Sequence, residues 1–131
     1  MGSKSDYLED IILDAVFGSQ ALPSIPTLYF ALFSVPPGDS GGGTEVSGGS
    51  YARASVTNNL TNFPASVGGT KNNGPEIVFP VASAAWGTIV AFGVFDAASG
   101  GNLLYWGAVS PNVNVISGDQ PKFVATTGIT I

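Results

Sequence analysis

Apolar residues follow two different spacings along this chain. In residues 5–17 (SDYLEDIILDAVF), Tyr7, Leu8, Ile11, Ile12, Ala15 and Val16 return at helical intervals and make one apolar face. Asp6 followed three positions later by Glu9 fits a capping box, and the acidic first turn suits the helix dipole. Gly18 stands where a C-terminal cap is expected. The spacing predicts a helix over 5–18.

Beyond it the period shortens to two or gives way to solid apolar runs. Pro23 and Pro26 disfavour continued helix and lead into residues 27–34 (TLYFALFS), a predicted strand with apolar residues on both faces. The centre of the chain is 86–107. Two apolar runs, 86–95 and 103–109, flank a turn of small residues that ends in Gly100, Gly101 and Asn102, so this stretch predicts a hairpin. Trp86, Tyr105 and Trp106 lie on it, which places it in the middle of a β core. Residues 51–57 alternate, with Tyr51, Arg53 and Ser55 on one side and Ala52, Ala54 and Val56 on the other. Short strands are expected at 75–81, 113–116 and 122–125, and 128–131 closes the chain as a final strand or tail; Pro80 suggests a sheet edge or bulge, and Pro111 bounds the second of them. Residues 35–50 and 67–74 read as polar loops, the first longer than the usual connection of about 4–6 residues. Turn signals at roughly 8–12-residue spacing predict one mainly β domain over 1–131. Its expected form is an antiparallel β-sandwich or jelly-roll-like domain carrying one N-terminal α-helix.

Composition narrows what such a domain does. Charged residues make up 10% of the chain, against about 25% in typical soluble domains. That suits a surface partly covered by neighbours. Lys4, Arg53, Lys71 and Lys122 are the only positive side chains in a chain of net charge −5, too few and too scattered for a phosphate-binding patch. Nucleic acid is therefore not an expected partner. Asp6, Glu9, Asp10 and Asp14 interrupt the start of the chain, so it reads as no secretory leader, and no apolar run approaches the ~20 residues of a membrane span. With Cys 0, stability comes from burial or assembly rather than disulfides, and the composition fits folding in a cytosolic compartment.

The same absences thin out the candidate chemistry. His 0 and Cys 0 exclude Ser-His and cysteine nucleophiles and the usual zinc sites. Glu76, Asp96 and Asp119 could supply paired carboxylates, but each falls at a predicted turn or strand start, where acids commonly cap or are solvated. Asp39, Ser40 and Glu45 could hold calcium, without the spacing of an EF-hand loop. Gly41, Gly42 and Gly43 form no phosphate loop. Tyr51, Trp86, Tyr105 and Trp106 could make a sugar-stacking platform, although aromatics on strands are more often core. No enzyme activity, cofactor or metal is expected.

Several stretches taken together resemble a family of small tailed-phage virion proteins, labelled tail-fibre-like or phage structural. They are SDYLEDIILDAVFG at 5–18, PTLYFALFS at 26–34, GGGTEVSGGSYARASVTNN at 41–59, NFPAS at 62–66, FP at 79–80 and AAWGTIVAFGVFDAASGGNLLYWGA at 84–108. The resemblance covers most of the chain and implies a structural part of the virion with no enzyme and no cofactor. The expectation drawn from it is a capsid cement or decoration protein, homo-oligomeric with a trimer favoured, that contacts the major capsid protein or other virion proteins. The alternative is a tail or tail-fibre component, with a carbohydrate-binding receptor role. The expected contact arms are the helix, through Tyr7, Leu8, Ile11, Ile12 and Val16, and the long loop, through Val35, Thr44 and Val46.

Overall fold

In the computed structural model, which describes residues 2–125 and 127–130, the chain begins with β1 (Gly2–Lys4) and α1 (Asp6–Gly18). It continues through β2 (Thr27–Val35), β3 (Thr44–Glu45), β4 (Ala54–Thr57), β5 (Thr70–Asn72) and β6 (Ile77–Val78). The hairpin strands β7 (Gly87–Phe95) and β8 (Leu103–Val115) follow, then β9 (Lys122–Phe123) and β10 (Gly128–Thr130). The fold is mainly β and antiparallel, with one helix near the N-terminus, as the sequence predicts.

The expected hairpin is the axis of the main sheet, whose order is β1-β8-β7-β2-β3 with β4 beside β2. Its turn is closed by Asp96, whose carboxylate accepts the Asn102 backbone N–H at 2.7 Å and the Asn102 side-chain amide at 2.9 Å. β2 then adds to the free side of β7, with Phe30 opposite Val94 and Leu32 opposite Phe92. Because side chains alternate along a strand, β2 supplies both faces of the sheet. Phe30 and Leu32 enter the main core with Phe79, Val94, Tyr105 and Val115, whereas Ala31 and Phe33 pack on the other face with Ala91 and Phe95.

Two short ribbons, β6–β9 and β5–β10, accompany the main sheet. β9 has only two residues, so its hydrogen bonds fix little. Its Phe123 ring does more, lying 5.9 Å from Phe30, 6.0 Å from Phe79 and 5.4 Å from Phe92 in tilted or edge-on contacts. Such pairs add about 0.5–1.5 kcal/mol beyond their buried area.

Several expectations are corrected. The helix cap is Ser5 rather than Asp6: its hydroxyl accepts from the Leu8 N–H and donates to the Leu103 carbonyl, and its own N–H donates to Leu104 at 2.9 Å. The left-handed C-terminal residue is Ser19, not Gly18. β1 had no counterpart in the expected elements; it pairs Gly2, Ser3 and Lys4 with Gly107, Trp106 and Tyr105. Pro111 does not end a strand, because β8 runs through a cis Ser110–Pro111 bond. The ladder skips there from Ala91↔Ala108 to Ile89↔Val113, so the proline sits in a bulge that asks no hydrogen bond of it. The stretch expected as a loop at 67–74 contains β5, and the longer one at 35–50 contains β3. Of the strands expected at 75–81 and 122–125, only Ile77–Val78 and Lys122–Phe123 pair. The final strand spans Gly128–Thr130, and Ile131 lies outside the described residues.

Gly49 ties the loop to the core. It has φ +57°, and its carbonyl accepts the Trp86 indole N–H at 2.8 Å; an added Cβ would stand 2.9 Å from that ring and from the Ala84 carbonyl. Neighbouring Gly48, at φ +74°, has open space where its Cβ would go. Gly48→Ala is therefore expected to cost about 1–3 kcal/mol of backbone strain alone. Gly49→Ala should lose about 1–3 kcal/mol more from overpacking, as read from the midpoints of urea unfolding.

Candidate partner-contact surface

The helix packs on β8 and β1, yet none of its residues is fully buried. Tyr7, Leu8, Ile11, Ile12 and Ala15 are half-buried along the inward arc. Leu13, Val16 and Phe17 point away, with 53%, 66% and 83% of their surface exposed, and Leu22 follows in the connector at 57%. Their i, i+3, i+4 spacing makes Leu13, Val16 and Phe17 one contiguous outward patch. Of the remaining expected contact residues, Val35 and Thr44 are exposed. Val46 is not: its N–H donates to Leu32 at 3.0 Å and its side chain is buried in the main core, where it offers nothing to a neighbour. Leu13 and Phe17 lie outside the expected set. The available signal was their place off the inward arc: two large apolar side chains on a face otherwise carrying Asp6, Glu9, Asp10 and Asp14.

Between the helix start and the turn at 39–43 lies an open cleft of about 580 Å³, with Phe33, Phe95 and Leu103 at its floor and Asp6, Asp39 and Arg53 on its walls. One side-chain network shapes it. Arg53 donates from Nε and Nη2 to both Glu45 carboxylate oxygens at 2.9 and 2.8 Å, and from Nη1 to the Ala97 and Gly100 carbonyls at 2.8 and 2.9 Å. Its guanidinium carbon lies 3.8 Å from the centre of the Phe95 ring. Tyr51 joins by donating to Glu45 at 2.7 Å, while its oxygen accepts the Leu32 N–H at 3.0 Å. Burial pushes the Tyr51 phenol well above its ordinary value; the Leu32 N–H pulls part of the way back, and the Glu45 carboxylate pushes the same way as burial.

The other candidates are taken up by local structure. Asp96 closes the hairpin turn, Asp119 accepts the Ile116 N–H at 3.0 Å, and Glu76 pairs with Lys122 at 2.6 Å. Asp39 accepts the Trp106 indole N–H at 2.9 Å. Among the described residues no group of three or more acidic side chains could hold a metal ion. Trp86 and Tyr105 are buried, and Tyr51 meets Trp86 edge-on at 5.3 Å, so these three rings form no exposed stacking platform.

A family model described as Podophage GP4 fiber I protein gp80 matches residues 3–131, nearly the whole chain. A search of curated proteins gives no significant match.

Two measurements probe the network. Arg53 has 7% of its side chain exposed and Glu45 has 26%, so Arg53→Met is expected to cost near the lower end of the ~3–5 kcal/mol seen for breaking a buried pair. Adding Glu45→Leu should recover part of that loss in a double-mutant cycle of urea unfolding, because the Tyr51 hydroxyl and the Ala97 and Gly100 carbonyls still lose their partners. For Tyr51, folded and unfolded states are both neutral below the unfolded value of about 10, so its contribution is complete there. Above that the folded state holds its proton longer, and the contribution is lost as pH rises through the folded value. In the folded protein at about pH 11, wild type minus Tyr51→Phe should therefore show less phenolate absorbance than an ordinary tyrosine.

Proposed function

The chain belongs to the Podophage GP4 fiber I protein gp80 family, which makes it a phage virion structural protein, and from that premise we propose that it is a tail-fibre component with no catalytic role. The observation that supports the reading is the helix: 13 residues, apolar around much of its circumference, with none fully buried. A helix of this length is marginal in water by itself. A neighbour covering Leu13, Val16 and Phe17 would add burial worth about 25 cal/mol per Å². The proposed neighbours are further copies of the chain, with a trimer as the closed unit, and adjoining virion proteins. Nothing in this reading calls for nucleic acid or membrane, and no helix among the described residues is long and apolar enough to cross a bilayer.

A second reading, a capsid cement or decoration protein on the major capsid protein, draws on the shortness of α1, since a 13-residue helix is no coiled fibre shaft. The family description favours the fibre. A cryo-EM map of the intact phage, with the chain located by side-chain density, separates the two. Density along the tail fibres is the expected result. Density repeated over the head lattice would replace the fibre by the cement role, and absence from the particle would end both.

A further inference from the structure

On the main-core side of the sheet, an apolar socket of about 140 Å³ opens between β8 and the β6–β9 ribbon. Leu32, Phe79, Ile89 and Val115 form its floor, and Val113 and Lys122 stand among the residues at its mouth. A dry cavity of about 150 Å³ lined by such side chains takes a benzene ring. The rim is apolar too: Val113 is 45% exposed, Val78, cross-strand from Lys122, is 45% exposed, and nearby Ile116 is 54% exposed. The same chain carries an aromatic knob, Phe17, 83% exposed at the end of α1.

We propose that Phe17 of one copy inserts into this socket on a second copy, a head-to-tail contact through which the chain assembles with itself. The inference rests on the structural reading above and names the neighbour that covers the helix. Three features favour a second copy as the occupant. Knob and socket match in size and chemistry. Asp14 and Asp10 precede Phe17 by three and seven positions on the same helix face, and the socket mouth carries Lys122, one of the chain's four bases. Its present partner, Glu76, is about half exposed, and so exchangeable at small cost. Finally, the helix that carries Phe17 starts on the face of the sheet opposite the socket. The helix start lines the cleft beside Phe33, whereas the socket contains Leu32, and consecutive β2 residues point to opposite faces. A contact between two different patches leaves one of each free, so it closes into a ring or extends as a filament.

The chain has Cys 0, which makes site-directed crosslinking clean. F17C and V113C are made separately and mixed under mild oxidation. Both positions are exposed, so each variant should keep the wild-type circular dichroism. The expected product is a disulfide joining one variant to the other, well above the yield of either variant alone. F17S should shift the wild-type assembly toward monomer by at least tenfold in apparent association, by sedimentation. A monomeric wild type, an F17C–F17C product as abundant as the mixed one, or unchanged assembly in F17S would overturn the contact. None of those results would move the chain's place in the virion map, so this inference and the fibre reading fail separately.

Discussion

The Arg53 guanidinium ties β3 directly to the turn of the central hairpin. Its four hydrogen bonds reach Glu45 on β3 and the Ala97 and Gly100 carbonyls in the β7–β8 turn. Tyr51 carries the link onward to the backbone of β2. A two-residue strand such as β3 is held weakly by its own ladder. Val46 beside it is buried in the main core, and the Glu45 carboxylate is gripped bidentately by a planar fork, with side-chain freedom lost only once. A lysine at position 53 has three donors on one nitrogen and no planar fork, so it could not reproduce both the bidentate grip on Glu45 and the two carbonyl contacts. Few charges are present in this chain, and here one of them does the work of a core residue.

The rest of the core follows from β2. A strand with large apolar side chains on both faces needs a cover on both, and the sequence provides two covers of unequal quality. One face receives Phe79, Phe123, Ile77 and Phe63, rings and branched chains that pack over it around the small socket beside Leu32. The other receives Phe95 with Arg53 laid across it, and the start of α1. That second cover is thin. It leaves an open cleft beside Phe33 and a helix with no fully buried residue.

Local pattern carried a definite share of this. The helix was legible from the helical spacing of its apolar residues, and β2 and the central hairpin from apolar runs bounded by turn residues. Ser5 was passed over as the cap because Asp6 and Glu9 offer an equally good local pattern. What decides for Ser5 is a hydrogen bond to Leu103, a residue 98 positions away. β1 and β5 were illegible for a related reason. GSK and TKN carry no apolar alternation, and each is a strand only because a distant segment completes its ladder. Val46 shows the limit at the candidate surface: within a glycine-rich stretch it reads as loop, yet β3 beside it turns it inward to the core. Leu13 and Phe17 were visible as residues, but their exposure depended on which arc of the helix the sheet would cover.

The N-terminal arm links these two levels of order. Gly2 has no room for a side chain, since a Cβ there would collide with the Trp106 carbonyl and the Tyr105 ring, and its N–H donates to the Tyr105 hydroxyl at 2.8 Å. β1 thus seals part of the β8 edge, and Ser5 passes that register directly into the first turn of α1. The exposed helix face is therefore aimed by the sheet rather than hung from it on a flexible tether. Removing residues 1–18 would strip a surface patch and open a sheet edge together, and any loss of assembly would then have two causes. Surface changes at Leu13, Val16 or Phe17 leave β1 and the Ser5 cap in place, and they separate what the helix contributes to neighbours from what its anchor contributes to the fold.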